Sequence, residues 1–187
     1  MGDRKYDLSN INMHGRVCYL IMCIEKYLVN LWPEKDWSVV LARLWPWVIS
    51  NDWSVARQLS DMVVPEFILE QPDYEKTNAV YDGKLSKELY DKLLELFDGI
   101  TSGDPDDEIN IVIGSLGDFG NCCENTSFSE ADQPVTELLE QIIKILEQHS
   151  IVPPEIEVLA DKSVNEAGGW GTPFDGKAIK GSNCREH

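Results

Sequence analysis

Apolar residues in this chain recur at helical spacing, and proline, glycine and capping residues punctuate the runs. Residues 17–24 are apolar without interruption, so the helix that holds them should be buried on every side. Ser9 or Asn10 would cap that helix and Pro33 would stop it just after Leu31. Asp36 caps a second helix, in which Trp37, Val40, Leu41, Leu44, Trp45 and Val48 share a face. Pro46 lies within that pattern and should kink or end it. Asn51 or Asp52 caps a third, with Trp53, Ala56, Leu59, Ser60 and Val63 on one side, and residues 66–70 leave room for one turn after Pro65.

A polar connector over residues 72–83 separates these from a fourth helix, capped by Ser86, striped by Leu89, Tyr90, Leu93, Leu94 and Phe97, and stopped by Gly99. Asp104-Pro105 reads as an N-cap followed by proline at the first helical position. Ile109, Val112, Ile113, Leu116 and Phe119 continue in helical register. Gly114, Gly117 and Gly120 each cost about 1 kcal/mol in a helix interior, and residues 109–113 also suit a short strand. Pro134 opens the sixth helix, with Val135, Leu138, Leu139, Ile142, Ile143 and Leu146 as its apolar face. Pro153-Pro154 closes the helical region, residues 155–159 alternate as a short extended piece would, and glycines from Gly168 to Gly181 mark an irregular end. Trp170 and Phe174 in that end should dock on the body, since a disordered tail has no need of large apolar groups. The pattern predicts an all-α single domain: about six helices over 1–160, then a glycine-rich segment over 161–187 with room for one short strand.

A chain of 187 residues buries roughly 70% of its unfolded surface and folds without disulfides or metals. Its longest apolar run has eight residues, against the roughly 20 that cross a bilayer. No small-residue cleavage site follows that run, and Tyr6 stands where N-myristoylation wants serine or threonine. Cys18, Cys23, Cys122, Cys123 and Cys184 are odd in number and form no framework, which points to free thiols in a reducing, cytoplasmic setting. Cys122-Cys123 lacks the spacing of a metal or redox pair.

The net charge of −17 is concentrated in the middle of the chain. Between Lys92 and Lys144 stand twelve acids and no lysine or arginine. Nucleic acid and anionic membranes would be repelled, and a basic protein attracted. Some of these acids can serve helix N-termini, and acidity also aids solubility. Twelve without a balancing base nevertheless disfavour the compact state, which argues for a binding role.

Signals for catalysis are missing by comparison. His14, His149 and His187 sit at helix or chain ends, where surface positions are usual. No phosphate loop, nucleophile elbow or zinc helix motif occurs. Asp118-Phe119-Gly120 matches a kinase triplet without the rest of the kinase set. Residues 104–115 begin like a calcium loop but put Ile109 where glycine is needed and Ser115 where glutamate is needed. The expectation is a binding protein with no catalytic residue, no metal and no cofactor. Its partner-binding candidates, chosen by charge density, are Glu95, Asp98, Asp104, Asp106, Asp107, Glu108, Asp118 and Glu124. Trp47 joins them: it falls off the stripe of the second helix and would make an exposed aromatic anchor.

Two segments carry a resemblance: Tyr6-Asp7-Leu8-Ser9-Asn10-Ile11-Asn12-Met13-His14-Gly15 and Gly169-Trp170-Gly171-Thr172-Pro173-Phe174-Asp175-Gly176. Together with the acidic helical middle, the chain resembles bacterial immunity proteins of polymorphic-toxin systems. The resemblance implies a cytoplasmic protein, encoded beside a toxin, that binds and neutralises it without a cofactor or an enzymatic step. It carries over no defined binding residues. A nuclease toxin with a basic cleft would suit the acidity. An acidic adaptor or DNA-mimic regulator is the alternative, and an enzyme with an unrecognised site comes third.

Overall fold

The computed structural model describes residues 6–70, 73–176 and 179. It is all-α: among the described residues there are nine α-helices, two 3-10 turns and a single isolated β-bridge, between Ile11 and Ser163. Helix α1 (Met13–Leu31) is buried on nearly every face along its first sixteen residues, as its continuous apolar run predicts. Its cap is Asn12, two residues after Asn10 and three after Ser9, the expected caps, and its side-chain oxygen accepts from the Gly15 amide at 2.8 Å.

The second helical pattern divides at Pro46 into α2 (Ser38–Leu44) and α3 (Pro46–Ile49). Helix α4 (Trp53–Asp61) is capped by Asp52, and the turn after Pro65 is α5 (Pro65–Leu69). The connector was expected to be irregular, but it contains α6 (Tyr74–Val80), capped by Asp73. Only Thr77 of α6 is buried, so no apolar stripe announced it; tyrosine hydroxyls hold it from outside, Tyr74 to the Leu85 carbonyl and Tyr81 to that of Asp61, each at 3.0 Å. Helix α7 (Lys87–Phe97) follows its Ser86 cap.

Two expected starts are corrected. Helix α8 (Glu108–Cys123) begins after Asp107 rather than at Asp104, because residues 104–107 close a turn of their own, with the Asp107 amide on the Asp104 carbonyl at 2.9 Å. The strand alternative for residues 109–113 is thereby excluded. Helix α9 (Phe128–Gln148) starts before Pro134 and runs through it. The Ser127 amide and hydroxyl both donate to the Glu130 carboxylate, at 2.8 and 2.6 Å, and this capping box nucleates the helix a turn and a half early. Residues 155–159 are not extended: Ile156–Leu159 is a 3-10 turn, and no strand forms there.

Helices α1, α8 and α9 pack on one another as a central trio; α2, α3 and α4 cover one flank, and α5 and α7 pack together beside the start of α8. Arg16 is inside this trio, with no solvent exposure. Its Nε donates to the Ile11 carbonyl at 2.8 Å, and Nη1 to the Asp132 carbonyl and the Thr136 hydroxyl at 3.3 and 3.4 Å. Its Nη2 lies 2.6 Å from the Asp132 carboxylate, and Phe128 covers the guanidinium.

The C-terminal segment is threaded onto the start of α1. The Asn12 amide donates to the Lys162 carbonyl, Val164 to Asn10, His14 to Trp170 and Phe174 to Val48. Trp170 packs against Trp53 and Phe174 against the Lys162 ammonium, so both aromatics dock as expected. Gly171 makes this possible: φ is +74°, and an added Cβ would fall 2.3–2.5 Å from the Asn12 side chain. Gly168 also has positive φ but opens onto empty space. Gly168→Ala is expected to lower stability by about 1 kcal/mol through backbone strain alone. Gly171→Ala should lower it by about 3 kcal/mol or more, adding steric overlap. Urea unfolding of the two variants measures the difference, and equal losses would show that the segment is not gripped at Asn12.

Candidate partner-binding surface

The acids named from the sequence do not form one patch. Glu95 and Asp98 end α7, Asp104 and Asp106 stand on the loop that follows, and all four are exposed. Lys35 reaches the same end of α7, where its ammonium meets the carbonyls of Glu95 and Asp98 at 3.4 Å each. Asp118 and Glu124 are exposed further along α8, a helix of 16 residues and so about 24 Å long. Two members of the set serve the fold. Asp107 accepts from the Thr101 hydroxyl and stands at the N-cap position of α8, its backbone carbonyl starting the helix. Glu108 accepts from the Tyr27 hydroxyl at 2.8 Å and lies 2.5 Å from Nε2 of His149, tying α8 to α1 and to the end of α9. Burial, and secondarily the bond to Glu108, push the Tyr27 phenol well above its ordinary pKa.

Trp47 is not an exposed anchor; its side chain has no solvent exposure. Extrapolating the second helix past Pro46 gave its ring the wrong phase, because the chain restarts there as α3. Its indole N–H donates to the Ser60 hydroxyl at 3.2 Å, and Gly120 provides the space for its ring, since a Cβ there would lie 2.9 Å from it. His14 is also inside rather than at the surface: its ring nitrogens face the carbonyls of Trp170 and Ser50 at 2.9 and 3.2 Å. His149 does lie at the surface, half-exposed beside Glu108, while His187 and Cys184 fall outside the described residues. Cys18, Cys23, Cys122 and Cys123 form no disulfide among the described residues. Burial pushes the Cys123 thiol up to about 12 and raises those of Cys23 and Cys122, so each is a poor nucleophile at neutral pH.

A feature that the charge count missed lies between α4, α5 and α8. Asp61, Glu66 and Asp118 line a groove of about 480 Å³ whose floor includes Gly114 and Gly117. A Cβ at Gly114 would meet nothing within 4 Å, so the helix backbone is open to a visitor there. The one arginine of the groove, Arg57, is engaged by the Asn121 carbonyl oxygen at 2.6 Å and by Asp61 at 3.8 Å. Burial raises the pKa of Asp61, and Arg57 only partly opposes it. The signal present in the sequence was the spacing of Gly114, Gly117 and Gly120, three positions of one helix without side chains.

Among the described residues no helix is long and apolar enough to cross a membrane, and no three His, Cys, Asp or Glu side chains converge as metal ligands. In comparisons with protein-family models, curated proteins and solved structures, the chain matches none.

Asp61 offers a direct test of the groove electrostatics. A carboxyl whose folded pKa is raised favours folding in its protonated form, an advantage present at acidic pH and lost as pH rises through the folded pKa. Asp61→Asn is therefore expected to raise the melting temperature at pH 7, with the gain vanishing toward pH 3. A melting temperature that falls at pH 7 would mean that the Arg57 pairing outweighs the burial.

Proposed function

We propose that this chain is an acidic protein-binding protein of the immunity type, which neutralises a cognate toxin by occupying a basic surface on it. The observation that supports the reading is the run of exposed acids Glu95, Asp98, Asp104 and Asp106, whose carboxylates form no ion pair with lysine or arginine among the described residues, Lys35 meeting only the backbone carbonyls of Glu95 and Asp98. Elsewhere the surface does use such pairs: Lys87 with Asp91 and Lys92 with Glu88, each one helical turn apart. Leaving the next acids unpaired gives a field that reaches a basic partner before contact and accelerates their encounter. A nuclease toxin is the partner class that this field suits best, since its cleft already binds polyanions. Binding by charge and shape requires no cofactor and no chemical step.

The test begins with co-expression of the chain and a toxin encoded next to it, scored by survival of the host. Association of the purified pair is then followed by stopped flow. Raising salt from about 50 to 500 mM shortens the Debye length from roughly 14 to 4 Å and should slow association at least about tenfold. Amides at Glu95, Asp98, Asp104 and Asp106 should slow it at low salt while leaving the melting temperature within about 2 °C, because these side chains are exposed. Unchanged on-rates and salt dependence would assign the acids to solubility, and a survival assay without protection would favour an adaptor or DNA-mimic regulator.

A further inference from the structure

Phe67 is an aromatic side chain that the core does not take up. It stands on α5 with 40% of its surface exposed, although α5 buries Pro65 and Ile68 of the same turn. It lines the groove of about 480 Å³ on one side and, on the other, a second depression of about 310 Å³. Asp61 borders both, so Phe67 forms a ridge between two furrows with a carboxylate beside it. Beyond the ridge the second furrow holds Val80, 72% exposed, with Glu70 and Asp82 at its edge. The cations of the two furrows are already engaged: Arg57 with Asn121 and Asp61, Lys84 with the Gln58 carbonyl oxygen at 3.0 Å.

We infer that this ridge and its two furrows are the docking surface for a basic segment of the partner protein, one that carries an apolar side chain between basic ones. The assignment rests on the reading of the chain as an acidic protein binder and places the contact that follows encounter. An apolar side chain laid on Phe67 and Val80 removes both from water, the largest gain this surface offers. Lysine or arginine on either side then meets Asp118 and Glu66 in the first furrow and Glu70 and Asp82 in the second. Gly114 and Gly117 leave the floor of the first furrow low enough for a long cationic side chain to lie along the α8 backbone. A cation there also compensates Asp61, a carboxylate the fold has partly buried. An anionic segment would meet five carboxylates, so nucleic acid and acidic peptides are excluded by charge.

The test uses the full chain and two synthetic probes, a short peptide of alternating lysine and leucine and an oligolysine of equal length. Amide chemical shifts are followed by NMR during titration. The expected result is that the leucine-containing peptide moves the resonances of Phe67, Gly114, Gly117 and Val80, and binds about tenfold more tightly than oligolysine. Phe67→Ser should abolish that preference and leave oligolysine binding unchanged, whereas Asp118→Asn with Glu66→Gln should weaken both probes. Shifts confined to residues 95–106, or spread over all acids with no preference for leucine, would overturn the docking surface and leave the acidic-face reading standing. No binding of either probe would overturn it as well, and the broader reading would then rest on the survival assay alone.

Discussion

Burial of the Arg16 guanidinium is the constraint on which the rest of the molecule depends. A charge taken out of water costs several kcal/mol unless it is paired and its donors are engaged, and here the partners come from two separated parts of the chain. The Ile11 carbonyl fixes the lead-in to α1, and the carbonyl and carboxylate of Asp132 with the Thr136 hydroxyl fix the first turns of α9. Phe128 closes over the group, and Gly169 lies against Phe128 so closely that a Cβ there would overlap the ring. The segment after residue 160 is thus placed by an arginine near the start of the chain. Asn12 repeats the logic one turn earlier, capping α1 while its amide reaches the Ser163 carbonyl and the Glu166 carboxylate.

With α1 submerged, the other helices turn most of their apolar side chains inward, with exceptions such as Phe67 and Val80, and the acids are left mostly to the outside. The result is three kinds of carboxylate. Those near helix starts or beside tyrosine, histidine and serine, such as Asp107, Glu108 and Glu130, hold the fold together. Those at the end of α7 and on the loop after it bind no other element, Asp104 accepting only the nearby Asp106 amide, and their mutual repulsion is tolerated rather than exploited by the fold. Asp61 is a third case, a carboxylate partly withdrawn from water at the edge of a groove. Sites that bind are commonly less stable than they need be, and a half-buried acid next to an exposed phenylalanine fits that pattern.

The glycines of α8 connect core and surface. Gly120 admits the Trp47 ring, which fills the interior between α3, α4 and α8 together with Trp53 and Phe119. Six residues earlier on the same helix, a Cβ at Gly114 would meet nothing within 4 Å, which leaves the groove open. One sequence feature, a residue without a side chain at every third position, therefore serves packing at one end of the helix and access at the other.

The sequence by itself determined the helical class, the central position of α1, the breaks at Pro33 and Pro46, the Ser86 cap and the docking of Trp170 and Phe174. These follow from periodicity, from the missing N–H of proline and from the cost of exposing large apolar groups, all of which act locally or through composition. The early start of α9 is a local signal, Ser127 with Glu130 three residues on, but only the tertiary structure decided that Trp47 and His14 are inside and that α6 exists. Each depends on a partner distant in the chain: Gly120 for Trp47, Trp170 and Ser50 for His14, Leu85 and Asp61 for the tyrosines that hold α6. The candidate surface divides in the same way. The acidic stretch was legible as charge, but charge is additive along a sequence and says nothing of direction. Which carboxylates face water, which cap helices, and which gather with Phe67 around a groove is set by how the helices cross.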